Sequence, residues 1–422
     1  MREPIVVTGV GAVTPLGVGA AALSERWTAG VCGIADGLGA CREFDPGAFM
    51  TRKEVRRTPR FGQLALVAAE EALAGAGWSE SLPYAADRIG CVIGTGVAAQ
   101  TTIEEQSEVY RVRGIRAIPP LQLATALGNA AAVSIQLRFG LRGESFGVSG
   151  ACAAGAQAIG SAIRMLVNDE ADAVVVGGAE SALSDRVVAS LRLMGAGSES
   201  GISRPFDRRR DGFVLGEGAG VLVLESAELA RRRRGPELAR IVGYGASSDA
   251  FHVTAPPPDG AGAVTALRNA LRDAGIEPRD VLYVNAHGTA TLLNDRSETT
   301  ALKKTFGDYA YEMQISSTKS AVGHLIGAAG AIEAIATIAA LNQRVVPPTL
   351  ALEEPEEGLD LDYVPLHAKP MREPAPGRPR IAISNCFGFG GHNSVLVLSP
   401  GSSAVEQQSA VGGTGRVEAI SS

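Results

Sequence analysis

The chain has 422 residues, of which 45% are hydrophobic, 20% charged and 52 glycine, with a net charge of −6. That length buries a large core, as one big domain or two fused halves, and aperiodic glycine beside abundant Val, Ile and Leu excludes collagen and disorder. The negative balance gives no bulk attraction to nucleic acid or to an anionic membrane.

The start, Met1-Arg2-Glu3-Pro4, leads straight into the β-branched run Ile5-Val6-Val7 without the apolar core of a signal peptide. Residues 63–74 are Ala-rich and of helical length, and Cys91-Val92-Ile93 follows as a strand. The runs at Val174 to Val176, Val221 to Leu224, Leu282 to Val284 and Val395 to Val397 are too short for helices and apolar enough for buried strands. Residues 225–234 read as a helix ending in the solvated run Arg231 to Arg234, and 261–274 as a second Ala-rich helix. The stretch 321–340 is the most apolar, but it contains His324 and Glu333, which fits a buried helix better than a membrane span. Residues 401–422 lack periodicity and read as a disordered tail. The alternation predicts an α/β fold with sheets covered by helices.

An internal repeat supports two similar halves. Ala69 to Gly77 leads through a polar linker to Arg88 to Gly96, and Arg268 to Gly275 leads likewise to Val281 to Thr289. Both copies read helix, glycine stop, linker, strand and Gly/Thr turn. A period of roughly 200 residues is too long for a solenoid unit. The break falls near Gly235-Pro236, giving halves 1–240 and 241–400.

Five cysteines (Cys32, Cys41, Cys91, Cys152 and Cys386) make no CxxC pair, which argues against a disulfide framework and a cysteine zinc site. Free thiols fit a reducing compartment. Cys152 follows a strand-like segment in Ser149-Gly150-Ala151-Cys152-Ala153-Ala154-Gly155, at the start of a helical run. Orphan N–H groups and the helix dipole there are expected to stabilise a thiolate, although a lone Cys is more often a small buried hydrophobe. His287 sits just after a strand in Asn285-Ala286-His287-Gly288-Thr289-Ala290-Thr291, where α/β sheets assemble sites. His324 closes Ser317-Thr318-Lys319-Ser320-Ala321-Val322-Gly323-His324. Cys386 to Asn393 is a Gly-rich turn, either a tight hairpin or a loop offering backbone N–H groups to an oxyanion, with Phe389 as a movable wall. Gly9-Val10-Gly11 lacks the third glycine of a dinucleotide fingerprint, and no P-loop occurs.

Together these segments, with Ser203-Arg204-Pro205-Phe206-Asp207 and Asp211-Gly212-Phe213-Val214-Leu215-Gly216-Glu217-Gly218, resemble the β-ketoacyl-acyl carrier protein synthases of the thiolase superfamily, closest to the KAS II type. The likeness runs from Pro4 to Ser399. It implies a thiolase-like α/β fold of two duplicated βαβαβαββ halves in a layered α-β-α-β-α core, Cys152 in the first half and both histidines in the second. It implies that Cys152 takes an acyl chain from a thioester and that His287 and His324 assist malonyl decarboxylation and stabilise the enolate. Backbone N–H groups of Cys152 and Phe389 would form the oxyanion hole, and Lys319 with Glu333 would support His324. Thr289 and Thr291 would line the phosphopantetheine tunnel, and Lys53, Arg56, Arg57 and Arg116 would dock an acidic acyl carrier protein. No metal or bound cofactor is implied, since the phosphopantetheine comes with the carrier. A cytoplasmic dimer is implied, either a homodimer or a heterodimer with a chain-length factor, acting on neither nucleic acid nor membrane.

Three positions depart from the family pattern. Ala153-Ala154-Gly155 replaces the usual Thr-Ser-Gly or Ala-Thr-Gly, Leu191 stands where a Phe is common near the acyl pocket, and Cys386 replaces a common Ser. These departures favour type II polyketide extension over fatty acid elongation. A non-condensing acyltransferase and a chain-length-factor-like partner subunit are the other readings. Cys152, His287 and His324 speak against both.

Overall fold

A computed structural model describes residues 4–402. Of the expected tail, residues 403–422 lie outside the described residues, whereas Gly401 and Ser402 are held by hydrogen bonds to the Leu238 carbonyl and the Glu237 carboxylate. The first half runs β1 (Ile5–Thr14), α1 (Arg52–Arg57), α2 (Arg60–Gly75), β2 (Ile89–Gly94), α3 (Gln100–Arg113), α4 (Ala130–Phe139), β3 (Ser145–Val148), α5 (Ala154–Val167), β4 (Ala173–Glu180), α6 (Asp185–Leu193) and β5 (Gly218–Ser226). The second runs β6 (Ala239–Ser248), α7 (Ala261–Ala274), β7 (Val281–Asn285), α8 (Leu292–Phe306), β8 (Gln314–Ser316), α9 (Ala329–Gln343), β9 (Ile381–Gly388) and β10 (His392–Pro400).

The hydrogen-bonded strand order is β3-β2-β4-β5-β1-β6-β10-β9-β7-β8. Adding five to each label of the first half reproduces the second in reverse order. The pair directions also correspond: β2 is parallel to β3 and β4, β7 is parallel to β8 and β9, and the remaining pairs are antiparallel. The two sheets are not separate, because β1 and β6 pair at Ile5–Ile241, Val6–Arg240 and Val7–Ala239.

The duplication extends to individual contacts. A Cβ on Gly9 or Gly11 of β1 would stand 2.0 Å from the carbonyl oxygen of Ala72 or Ala68 on α2. A Cβ on Gly243 or Gly245 of β6 would stand 2.6 or 2.1 Å from those of Ala270 or Ala266 on α7. Glycine facing alanine lets each helix backbone lie directly on its strand, a close approach that larger side chains forbid.

Three apolar clusters fill the layers. One packs α2 and α4 on the outer face of the first sheet, and another packs α7 and α8 on the outer face of the second. The largest contains α5 and α9 between the sheets. Residues Ile326–Gln343 are apolar and long enough to cross a membrane by composition, yet they are buried in that central layer. The helix expected over 225–234 is shorter, Ala227–Arg232, because Glu225 and Ser226 complete β5. Arg233 is not a solvated helix end: it pairs with the buried Glu225 and lies over the Trp78 ring.

Candidate active site

β3 stops at Val148, and Ala151–Ala153 form a single tight turn before α5. Ala151 has φ 48°, a left-handed conformation costly for a residue with a Cβ, which marks the turn as strained. The turn packs Cys152 into an apolar cluster with Ala196, Phe213, Leu215 and Ile326, leaving it 3% exposed. The thiolate expected from the helix position does not follow. Burial pushes the Cys152 thiol up to about 11, with Glu180 and Glu333 also raising it. The Phe389 N–H and the Lys319 charge pull it down, but not enough to offset the lost hydration.

His287 and His324 enter from the second half. Asn285 ends β7, and the following turn is pinned by Glu298 of α8, whose carboxylate accepts from the N–H of His287 and of Gly288, both at 2.8 Å. Asn385 Nδ2 adds a third bond to Glu298 at 3.0 Å. His324 lies between the short helix Lys319–Val322 and α9, so the apolar segment is interrupted there rather than continuous. The imidazoles meet edge to face at 5.4 Å, and Phe213 stands edge-on to His324 at 4.9 Å. Burial holds both histidines well below their ordinary value, and the Lys319 charge adds to this, so both are neutral. Nδ1 of His324 accepts the Ile326 N–H, which leaves its proton on Nε2.

Lys319 and Glu333 form a buried ion pair. Asn285 braces this region by donating to Thr318 Oγ1 and to the Glu333 carbonyl. The strands β9 and β10 make the expected hairpin, with Gly390 and Gly391 at φ 82° and 74° in its turn. An ideal Cβ on Gly388 would stand 3.1 Å from the backbone nitrogens of both Cys152 and Ala153, so the hairpin rests on the Cys152 turn.

A cavity of about 320 Å³ has Cys152, His287, His324, Thr289, Thr291 and Phe389 on its wall. Leu191 is not on that wall; it joins the apolar cluster beside Cys152 from α6. Lys53, Arg56 and Arg57 line a separate cavity of about 720 Å³, and Arg116 is exposed in the turn Ile115–Ala117. The expected docking residues therefore do not border the Cys152 cavity of their own chain. Among the described residues none of these four makes an ion pair.

Several supporting groups escaped the sequence reading. Asp295 accepts the N–H groups of Thr289 and Phe206 and faces the buried guanidinium of Arg210. Glu180, at the end of β4, accepts from the N–H groups of Gly96, Val97 and Gly327, and burial pushes it up to about 7. The signal for Asp295 and Glu298 was their three-residue spacing on a helix opened by Thr291, which puts both carboxylates under the histidine turn.

Comparison with known proteins shows the family of the chain. Residues 2–230 match the family model described as β-ketoacyl synthase, N-terminal domain, and residues 238–353 match β-ketoacyl synthase, C-terminal domain. The chain is 39% identical to 3-oxoacyl-(acyl-carrier-protein) synthase 2 of Coxiella burnetii, covering 94% of this chain and 99% of that protein. It is 40% identical to the protein of that name from Synechocystis, covering 94% and 98%. Among solved structures, the ishigamide ketosynthase/chain length factor superposes with TM-score 0.86 at 32% identity, covering 95% of this chain and 100% of that one. A ketosynthase solved with its type II polyketide acyl-carrier protein and bound to the hexaketide superposes with TM-score 0.84 at 30% identity, again over 95% and 100%.

Proposed function

The chain belongs to the β-ketoacyl synthase family and is an acyltransferase that condenses acyl chains with malonyl-acyl carrier protein, and we propose that Cys152, His287 and His324 are the residues that carry this reaction. The observation that carries the assignment is the convergence of these three side chains, from both halves, on one cavity wall. We place the boundary between the halves at residue 240, the second residue of β6.

Cys152 Sγ attacks the acyl thioester carbonyl, its proton passes to the departing carrier thiol, and the acyl group stays on sulfur. Malonyl carrier then enters and its carboxylate leaves as CO₂. The electrons released form an enolate whose oxygen accepts from neutral His287 and from His324 Nε2–H. The enolate carbon attacks the acyl-Cys152 carbonyl. The N–H groups of Cys152 and Phe389 hold the oxyanion until it collapses and expels the Cys152 thiolate, which takes up one proton from solvent. Neutral imidazoles suit this role because they donate without needing prior protonation. Burial keeps both histidines uncharged, and the charge of Lys319, held in place by Glu333, adds to it.

Thr289 and Thr291 flank the arm of a phosphopantetheine carried by the acyl carrier protein, and the reading calls for no metal and no bound cofactor. Lys53, Arg56, Arg57 and Arg116 dock the acidic carrier. That none of them borders the Cys152 cavity of its own chain supports a dimer, homomeric or with a chain-length factor. The working compartment is the cytoplasm. Leu191 shapes the acyl end of the site from beside Cys152.

The chemistry serves type II polyketide extension, supported by Ala153-Ala154, Leu191 and the likeness to ketosynthase/chain-length-factor structures. Fatty acid elongation is the second reading, favoured by the 39–40% identity to relatives named 3-oxoacyl-(acyl-carrier-protein) synthase 2. The test of the site is CO₂ release from malonyl carrier by the acyl-loaded enzyme. Release that is lost in both His287→Ala and His324→Ala, with acyl loading intact, supports the assignment. Release retained in both variants refutes it.

A further inference from the structure

A second thiol lies behind the site and has no part in the chemistry above. Cys386 of β9 is fully buried, and its Sγ lies 3.3 Å from Oε2 of Glu333. The other carboxylate oxygen, Oε1, takes Lys319. The thiol is held close, since an ideal Cβ on Gly330 would stand 3.0 Å from its sulfur. Burial and the adjacent carboxylate keep Cys386 protonated, so it donates to Glu333 rather than acting as a nucleophile. Glu333 thus has one partner on each oxygen, both from the second half and both out of reach of water.

The same pair acts on the three reacting groups. Lys319 lowers His287, His324 and Cys152, while Glu333 raises Cys152 and Tyr283. Among the described residues these are the titratable and charged groups that face Glu333: Lys319, Cys386, Cys152 and Tyr283, with the two histidines beyond Lys319.

We propose that Cys386 is a positioning residue: its S–H holds the Glu333 carboxylate in the orientation that meets Lys319, and through Lys319 it sets the charge felt by His287, His324 and Cys152. The inference rests on the condensing reading given above. A buried acceptor that loses its donor bears an uncompensated desolvation cost. Glu333 would then take up a proton at higher pH and leave Lys319 without its counter-charge.

The experiment compares wild type, Cys386→Ser, Cys386→Ala and Cys386→Val by CO₂ release from malonyl carrier against pH, with melting temperatures measured alongside. Valine fills the place of the sulfur without a donor and adds one methyl, whose fit the melting temperature reports, so it gives a second apolar variant if alanine fails to fold. The expected result for both apolar variants is a kcat lower by about three- to tenfold, an unchanged KM and an acid limb moved to higher pH. Cys386→Ser keeps the wild-type limb. Wild-type kcat and pH profile in folded Cys386→Val overturns the inference, as does a Cys386→Ser profile that matches the valine variant. A wild type that releases no CO₂ overturns the condensing reading itself, and the inference falls with it.

Discussion

The Ile326 N–H donates to Nδ1 of His324 at 3.3 Å, so the chain itself selects the tautomer of that imidazole. The proton is left on Nε2, which is buried with no partner among the described residues. A donor held in this way meets a developing enolate with little reorganisation. His324→Ala is therefore expected to load an acyl chain on Cys152 normally and to lose decarboxylation by about 10²–10³-fold, the usual cost of one such donor. Intact-protein mass and CO₂ release check the two halves separately. Lost loading with retained decarboxylation would contradict the assigned role.

The buried Cys152 thiol, pushed up to about 11, sets a pH dependence for the free enzyme. Below that value each pH unit gives about tenfold more thiolate, so iodoacetamide alkylation of Cys152 should climb about tenfold per unit from pH 7 to 9. A plateau near neutral pH would mean a preformed thiolate. Loss of the alkylation adduct in Cys152→Ala identifies the site.

Breaking the buried Lys319–Glu333 pair from one side leaves a bare charge in the core. Lys319→Met is expected to cost about 3–5 kcal/mol of stability, and adding Glu333→Gln should restore much of it. Urea unfolding of the single and double variants measures the difference. Additive losses in the double variant would show that the two side chains are not coupled.

Gly388 leaves room for the hairpin to rest on the Cys152 turn. Gly388→Ala places a methyl 3.1 Å from the nitrogens of Cys152 and Ala153, which forces the Phe389 N–H away. The expected outcome is a folded protein with nearly unchanged melting temperature and at least tenfold slower condensation. Wild-type turnover would show that the hairpin's position is not critical.

The strands at Val174 to Val176 and Val221 to Leu224 were legible because a buried strand needs an unbroken apolar run. The helix Ala261–Ala274 was legible to the residue, since Gly260 and Gly275 both sit in left-handed conformations at its ends. Cys152, His287 and His324, the proposed reacting groups, stood out because each occupies a small-residue turn after a strand or before a helix. What periodicity could not convey was tertiary: Glu225 belongs to a strand because it pairs with Val6 and Ala173 on neighbouring strands, and Arg233, eight residues on, offsets the charge buried there. Cys152 was misjudged because a local argument about helix ends omits the desolvation imposed by Phe213, Leu215 and Ile326. Asp295 and Glu298 were missed because acidic residues on a polar helix face look solvated until the partner turn is known.

The most direct test of the central claim is the mass of the carrier-bound product after mixing the protein with a panel of acyl carriers and malonyl carrier. The expected result is a β-ketoacyl carrier two carbons longer than the acyl group supplied, formed with one CO₂ released per extension and absent in Cys152→Ala. A Cys152→Ala protein that extends the chain as well as wild type, or a wild type that decarboxylates malonyl carrier without forming the carbon–carbon bond, would contradict the account.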